Sequence, residues 1–331
     1  MMIAIMALVG ACGSLFADAE QSVQALRKQY HRPAQIPYPK DDPFSDAKAK
    51  LGRVLFFDPL LSGSKLHSCA SCHNPGLSWG DGEAQAVGEK LLQLRAPTLL
   101  NVAWTPKLGW DGHFRDLESV AIGPLSSPDN MNLPVADLIV RLSVIPDYVA
   151  SFNAAYGKGD ITQQKIEQAL ATFERSIVSN EAPFDRWIGG DPKAISESAK
   201  RGFVLFNTKA NCAACHSGWA FTDSSFHDVG VAQGDDIGRG KLFPTSVKLK
   251  YAFKTPTLRD VARRGPYMHD GSVTTLDDVI GLYDRGGIDR PSRDSEIHPL
   301  NLSGAEKADL IAFLQTLNGA PTAYAVPPLP R

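Results

Sequence analysis

Cys69-Ala70-Ser71-Cys72-His73 and Cys212-Ala213-Ala214-Cys215-His216 are two copies of one pentapeptide, and they decide the fold. The spacing C-x-x-C-H is the attachment signature of c-type haem. Its two thiols reach the two vinyl groups on one porphyrin edge, and the adjacent histidine then falls under the iron. The sequence therefore predicts two covalently bound haem c groups, with His73 and His216 as proximal iron ligands.

Two other interpretations of the cysteine pairs explain less of the sequence. A C-x-x-C pair can be a redox dithiol or one half of a zinc site. A zinc site would require the two halves to share one metal, and it leaves both abutting histidines without a role. Of the five cysteines, four belong to the two motifs and the fifth, Cys12, stands in the leader. Haem attachment accounts for both complete motifs.

The composition is that of a soluble globular chain. It has 331 residues, 43% of them apolar and 21% charged, which suggests about two domains with ample core material. The formal net charge of −2 argues against nucleic acid as a partner and gives no sign of a basic membrane patch.

The first residues have the pattern of an export signal, and we assign residues 1–19 as a signal peptide. Met1 to Ala17 contains no charge and is mostly apolar, and Ala17-Asp18-Ala19 offers an A-x-A-type cleavage site. Val9-Gly10-Ala11-Cys12 also resembles a lipoprotein signal, in which Cys12 would become the lipidated N-terminus. Because haem is attached covalently outside the inner membrane, the sequence predicts an exported, periplasmic protein, either released or anchored through Cys12.

The remaining chain is predicted to be mostly α-helical, with two cytochrome c-like domains in tandem and long loops. Residues 20–44 are polar and punctuated by prolines, which indicates an arm or an extended wrap and not a core element. The N-terminal domain is predicted over residues 45–190 and the C-terminal domain over residues 191–320. Residues 321–331 form a proline-rich tail that is expected to be unpaired.

One helical unit occurs twice, each time before a C-x-x-C-H motif. Leu51-Gly52-Arg53-Val54-Leu55-Phe56-Phe57 resembles Arg201-Gly202-Phe203-Val204-Leu205-Phe206-Asn207. We expect each glycine to let its helix cross another helix closely. The clearest helical period runs from Ile161 to Ser179, and its apolar stripe is interpreted as core packing.

Several further motifs resemble those of the bacterial di-haem cytochrome c peroxidase family, which includes MauG. The resemblance runs from about Asp46 to Leu317. Besides the paired haem motifs, it rests on these stretches: Trp110-Asp111-Gly112, Gly123-Pro124, Thr255-Pro256-Thr257-Leu258-Arg259 and Pro266-Tyr267-x-His269-Asp270-Gly271. It implies that the haem at His73 reacts with hydrogen peroxide and that the haem at His216 transfers electrons. It also implies that Trp110 relays electrons between them; its alternative is a packing role at the domain interface.

The resemblance also bears on the sixth ligand of the second haem, where family members differ. Peroxidases use a methionine about fourteen residues after the histidine of the P-Y-x-H motif, whereas MauG-like proteins have a tyrosine there. Fourteen residues after His269 stands Tyr283, which we take as the iron ligand because haem iron accepts tyrosinate. Met268 is the alternative ligand, and His269 is carried over as a residue of the haem site.

At the first haem the resemblance implies an open iron, since no histidine occurs between His73 and His113. The family's distal acid falls at Asn130, which can hydrogen-bond peroxide but cannot move its proton. The distal glutamine falls at Val120, and Pro124 of the Gly123-Pro124 motif is counted with the candidate catalytic residues. Asp129 could act in place of Asn130, but a solvated turn residue is the expected role.

A calcium ion held between the haems is a further property of the family, and it is doubtful here. The ligand asparagine falls at Arg95, and the two carbonyl ligands would be those of Arg264 and Pro266. A guanidinium cannot ligate a cation that demands oxygen. Arg95 would instead supply positive charge at that place.

The resulting hypothesis is an exported di-haem oxidoreductase of the cytochrome c peroxidase/MauG type. Hydrogen peroxide is its expected oxidant, and electrons would come from a cytochrome, a cupredoxin or the side chains of a target protein. Because of Asn130 and Val120, the alternative is a di-haem electron-transfer cytochrome or haem sensor without peroxide chemistry.

Overall fold

The structure is a computed structural model, and it describes residues 26–321 and 324–330. The predicted signal peptide and Cys12 lie outside these residues. Ten α-helices are described, and they are numbered in chain order: α1 Asp46–Phe57, α2 Cys69–Cys72, α3 Leu117–Ser126, α4 Val135–Ser143, α5 Pro146–Tyr156, α6 Gln163–Arg175, α7 Pro183–Ile188, α8 Glu197–Asn207, α9 Leu276–Arg285 and α10 Gly304–Gln315. The mostly helical prediction is confirmed.

Strand structure is slight in the described part of the chain. β1 (Phe226–His227) pairs antiparallel with β2 (Phe253–Lys254), so that Phe226 faces Lys254 in the register. Within residues 26–321 and 324–330, no helix has the length and apolar character needed to cross a membrane.

The ends of the repeated helices follow from local chemistry. The Ser45 hydroxyl accepts a hydrogen bond from the Lys48 backbone N–H and begins α1, which ends at Phe57, before Asp58 and Pro59. The Ser196 hydroxyl caps α8 in the same way through the Ala199 N–H. In α10, Ser303 and Glu306 form a capping box.

Helix α6 is shorter than its apolar period predicted. It begins after Thr162, whose hydroxyl accepts from the Lys165 N–H, and it ends at Arg175. The Ile177 carbonyl is taken by the Asn101 N–H at 2.9 Å, so the chain leaves the helix before Ser179. The side chains of the predicted stripe are nevertheless buried, as core packing requires.

Two aromatic-rich cores lie one in each half of the chain. In the N-terminal half, α1 packs on α6, with Leu55, Phe56 and Phe173 at the centre. In the C-terminal half, α8 packs on α10, with Phe203, Phe313 and neighbouring aromatic rings at the centre. The same helix pair therefore forms twice, which is the repeat that the sequence predicted.

A glycine stands at each of the two helix crossings. A Cβ added to Gly52 would lie 1.8 Å from the Ala169 carbonyl oxygen, and one added to Gly202 would lie 1.9 Å from the Asp309 carbonyl oxygen. These distances are far below contact, and the atoms met are backbone. The expectation that each glycine permits a close crossing is confirmed.

We expect Gly202→Ala to destabilise the protein, because the α8–α10 backbones must separate to admit a methyl group. The loss should be at least about 1–3 kcal/mol, as for overpacked cores. Gly304→Ala is the matched control, since a Cβ at Gly304 meets nothing within 4 Å. Urea unfolding of both variants measures the effect. A Gly202→Ala midpoint equal to that of Gly304→Ala would contradict the crossing.

The described parts of the arm and of the tail pack more closely than the sequence indicated. In the arm, Tyr30 is 1% exposed, lies in the C-terminal core and donates through its hydroxyl to Asn207 Oδ1 at 2.8 Å. In the tail, the Tyr324 ring stacks on Phe57 at a centroid distance of 5.6 Å. The expectation that residues 20–44 add nothing to a core was wrong, although an extended wrap fits Tyr30, and the expectation of an unpaired tail was wrong. Isolated aromatics in proline-rich segments anchor each segment to the opposite half of the molecule.

Candidate haem sites

The first motif folds into a short helix that positions His73. Helix α2 contains both thiols, and the His73 N–H donates to the Cys69 carbonyl at 2.9 Å. The His73 Nδ1 lies 3.3 Å from the Trp79 carbonyl oxygen. An Nδ1–H that donates to this carbonyl leaves Nε2 as the unprotonated nitrogen, which is the form that binds iron. Burial lowers the pKa of His73 and favours the same neutral ring.

The second motif repeats this arrangement around His216. The His216 N–H donates to the Cys212 carbonyl at 2.8 Å, and Nδ1 lies 2.9 Å from the Phe221 carbonyl oxygen. Burial lowers the pKa of His216 as well. Each motif thus presents a neutral imidazole whose orientation is fixed by a backbone carbonyl five or six residues further on.

The alternatives for the cysteine pairs find no support in the geometry. Burial raises the pKa of Cys69 and raises that of Cys212 to about 12, whereas a redox dithiol needs a lowered thiol pKa. The cysteines of the two motifs do not converge either. Within residues 26–321 and 324–330, the one group of three potential metal ligands is Cys215, Asp223 and His227.

The surroundings of both motifs fit a large apolar group. A cavity of about 340 Å³ borders Cys212, Cys215 and His216, and most of its wall is apolar. At the first motif, Val87 is 52% exposed and Leu91 is 65% exposed, although the Val87 carbonyl lies only 3.7 Å from the Cys72 sulphur. A porphyrin edge bonded to Cys72 would cover such side chains.

Tyr283 and Met268 both border the cavity of the second motif. Tyr283 lies on α9 and Met268 lies in the loop before it, and both line the cavity together with His216. Burial, above all, raises the pKa of Tyr283, and no hydrogen bond is made by its hydroxyl to any residue of the described chain. Tyr283 therefore needs a cation or a metal to become a phenolate.

His269 is engaged by protein groups. Its Nε2 lies 2.6 Å from Asp236 Oδ2, and its ring stacks on Phe253 at a centroid distance of 3.6 Å. Its backbone carbonyl accepts from the Arg95 N–H at 3.1 Å. The histidine of the P-Y-x-H motif thus holds the cavity wall in position, with its ring edge-to-face against Trp110 at 6.4 Å.

Trp110 lies where loops of the two halves meet. Its indole Nε1–H donates to the Arg95 carbonyl at 2.9 Å, and its own carbonyl accepts from the Lys254 N–H at 2.7 Å. The ring borders the cavity of the second motif. Trp110 is therefore fixed at both ends between the haem-bearing halves.

Arg95 contacts a carbonyl oxygen that the family resemblance assigned to a calcium ion. Its side chain is buried, and Nη2 donates to the Arg264 carbonyl at 2.9 Å. This carbonyl is one of the two that the family resemblance assigned to calcium. The guanidinium thus lies against one of those oxygens.

The residues expected in the distal pocket lie on and after α3. Pro124 is inside α3, and its carbonyl accepts from the Met131 N–H at 3.1 Å. The Asn130 carbonyl accepts from the Glu89 N–H at 2.7 Å, which joins this turn to the loop after the first motif. Val120 packs with the small apolar cluster around Leu117. Asp129 forms an exposed ion pair with Lys90 at 2.5 Å, in keeping with a solvated turn residue.

The Thr255–Arg259 motif holds the loop that follows His216. The Thr257 hydroxyl donates to the Ala220 carbonyl at 2.6 Å, and the fully buried Arg259 donates through Nε to the Trp219 carbonyl at 2.7 Å. The loop after His216 also contains the Phe221 carbonyl, which orients the His216 ring. The Thr255–Arg259 motif therefore stabilises the position of this haem ligand.

Two titratable groups near the haem motifs were missed by the sequence reasoning. Glu174 is buried near Cys69, and burial raises its pKa to about 8. Its position four residues after Leu170, within the apolar stripe, was an available signal. His227 lies between two carboxylates, with Nε2 2.9 Å from Asp223 and Nδ1 2.6 Å from Asp294. No local pattern in the sequence brings these three residues together.

We expect His227→Gln to lower stability by about 1–3 kcal/mol at pH 7, since it leaves two carboxylates without their cation. Asp223, foremost, raises the pKa of His227, and Asp294 adds to this effect. A raised pKa stabilises the folded state fully below about pH 6.5, and this stabilisation is lost as the pH rises through the raised value. Melting temperatures from pH 7 to 10 should therefore fall more steeply for the wild type than for the variant. Parallel curves would contradict a charged His227.

The fold and the two sites define a tandem cytochrome c-type protein that carries two covalent haems. A family model described as di-haem cytochrome c peroxidase matches residues 46–193, and one described as cytochrome c matches residues 199–318. The chain is 49% identical to the methylamine utilization protein MauG of Methylorubrum extorquens over 95% of this chain and 90% of that protein. The MauG of Methylophilus methylotrophus is 47% identical, with 92% of each chain covered.

The chain therefore belongs to the di-haem cytochrome c peroxidase/MauG family, and it is an oxidoreductase of peroxidase or MauG type. A crystal structure of a MauG-like protein associated with microbial copper homeostasis has a TM-score of 0.82 and 29% identity, covering 87% of this chain and 95% of that one. The predicted family, fold class and haem content are confirmed.

Proposed function

We propose that this protein uses hydrogen peroxide at the haem attached to Cys69 and Cys72, and that Trp110 passes oxidising equivalents to the haem at His216. Bound haem supplies the redox-active iron. The observation that carries the proposal is the position of Trp110, which is hydrogen-bonded to Arg95 from one half and to Lys254 from the other. A rigid aromatic ring between two haem-bearing halves favours rapid transfer between them.

Tyr283 is proposed as the sixth ligand at the second haem, with Met268 as the alternative. Both side chains border the cavity that His216 borders. Because burial opposes the phenolate, an adjacent iron would be the group that stabilises it. An anionic oxygen ligand favours oxidised iron, which fits the oxidation of a partner better than simple electron storage.

The residues around the first haem would exclude water and hold peroxide, but they offer little proton transfer. Val120 and Pro124 make that side apolar, and Asn130 can donate a hydrogen bond through its amide. The electron source is proposed to be a cytochrome, a cupredoxin or the side chains of a target protein. We also propose a periplasmic location, since covalent haem attachment takes place outside the inner membrane.

The second candidate is a di-haem electron-transfer cytochrome or haem sensor, and the amide at position 130 favours it. One titration separates the two functions. Stoichiometric peroxide is added to the diferric holoprotein, and the Soret and near-infrared bands are followed. A long-lived species oxidised by two equivalents supports peroxide use; an unchanged spectrum rejects it and supports the cytochrome.

A further inference from the structure

Three basic residues near Trp110 line one cavity; Arg95 is buried, and Lys254 and Arg264 are half-buried. Arg95, Lys254 and Arg264, here called the cationic cluster, all line the cavity of the second motif. Within the described residues, none of the three forms an ion pair with a carboxylate. The Nε atoms of Arg95 and Arg264 are buried and make no hydrogen bond. Unpaired buried charge is costly, so such a cluster indicates an anionic ligand.

The contacts that the cluster does make are to neutral groups. Arg95 donates to the Arg264 carbonyl, and Arg264 donates to the Thr257 carbonyl. Burial, and after it the charge of Arg95, lowers the pKa of Arg264 to about 10. Burial alone lowers the pKa of Lys254 to about 8. Burial thus disfavours the charged forms of Lys254 and Arg264.

Carboxylates of the described chain act on the cluster without forming an ion pair: against the larger effect of burial, Asp81 and Asp260 raise the pKa values of Arg95 and Arg264. Of the residues that line the cavity in the described chain, Glu296 is the one with a carboxylate, and it is exposed and accepts a hydrogen bond from Asn211 at 2.6 Å. The other ionic group nearby, His227, already lies between Asp223 and Asp294. An anionic ligand of the cavity would therefore give the cluster the ion-pair partner that the described residues do not provide.

The chemistry of the haem supplies that anion. A porphyrin bonded to Cys212 and Cys215 has its thioether bonds on one edge and two propionate carboxylates on the opposite edge. Lys254 lies in β2, opposite Phe226 of β1, and its N–H donates to the Trp110 carbonyl at 2.7 Å. The three cations line the same cavity as Cys212 and Cys215, so a porphyrin bonded there would place its propionates in the cavity that these cations border.

We propose that the cationic cluster binds the propionate carboxylates of the second haem, with Lys254 as the direct ion-pair partner. Lys254 is then a positioning residue that fixes the haem edge next to Trp110. Its charge favours the ferrous over the ferric state and raises the reduction potential of this haem. The inference depends on haem content and not on peroxide turnover, so it can fail or succeed independently of the proposed function.

The test compares three variants of the holoprotein, each of which removes one lysine charge. Lys254→Met should lower the reduction equilibrium constant of the second haem by about tenfold, which is about 59 mV for a one-electron couple. It should also shift the propionate bending band in the resonance Raman spectrum. Lys254→Gln can still donate a hydrogen bond, so the potential should fall while the band stays near its wild-type position. Lys241→Met removes the same charge from an exposed position and should change neither.

Two results would overturn the proposal. One is a Lys254→Met band at the wild-type position, because the lysine would then not contact a propionate. The other is a potential shift no larger than that of Lys241→Met. Should Lys254→Met fail to load haem, Lys254→Gln decides alone: an unchanged potential in that variant rejects the ion pair.

Discussion

Asn130→Glu is expected to raise the rate of reaction with peroxide by about 10²- to 10⁴-fold, the usual contribution of a general acid–base group. A carboxylate can take a proton from one peroxide oxygen and return it to the other, which an amide cannot do. The backbone at this position is held by the Ser127 carbonyl and the Glu89 N–H, so the exchange of side chains leaves the turn intact. Stopped-flow mixing of the diferric protein with peroxide measures the rate.

The adjacent residue provides the control for this prediction. Asp129 is 56% exposed and paired with Lys90 on the surface, so Asp129→Asn should leave the peroxide rate unchanged. Asn130→Gln lengthens the side chain without adding an acid and should also leave it unchanged. If Asn130→Glu reacts no faster than these two variants, position 130 is not beside the bound peroxide.

Tyr283→Phe is expected to convert one of the two irons from low spin to high spin, because it removes the proposed sixth ligand. The hydroxyl makes no hydrogen bond to the described residues, so its loss should disturb the fold little. Electron paramagnetic resonance of the diferric protein would report the change on a single haem. The reduction potential of that haem should rise, since an anionic ligand is lost.

Tyr267 and Met268 serve as matched controls in the same cavity. The Tyr267 hydroxyl donates to the Val261 carbonyl at 3.1 Å, so Tyr267→Phe should keep both irons in their wild-type spin states. Met268→Leu should do the same. A spin-state change in Met268→Leu together with an unchanged Tyr283→Phe would assign the ligand to the methionine.

Those parts of the fold that depend on local chemistry were predictable from the sequence. Ser45, Ser196 and the Ser303–Glu306 pair each begin a helix as their side chains indicate. Gly52 and Gly202 occupy the same position in the two repeated helices, and each lies at a close helix crossing. The repeat therefore made both crossings predictable. The two C-x-x-C-H motifs predicted His73 and His216 as ligands. The carbonyls of Trp79 and Phe221 orient the rings of these histidines.

Contacts between distant segments could not be read in this way. Tyr30 and Tyr324 stand in proline-rich stretches without periodicity, and only the folded chain shows which core each one enters. The same holds for the cationic cluster, whose members are up to 169 residues apart. Only the folded chain shows that these basic residues line one cavity and that they form no ion pair with the described carboxylates.

The central claim, that Trp110 connects two haem sites, is tested most directly by peroxide titration of Trp110→Phe against Trp104→Phe. Trp104 also borders the cavity and packs edge-to-face on Trp219 at 4.8 Å, so it is a matched aromatic control. We predict that near-infrared absorption, the mark of charge shared between the two haems, forms in the wild type and Trp104→Phe and is lost in Trp110→Phe. The same band at full strength in Trp110→Phe would contradict the account.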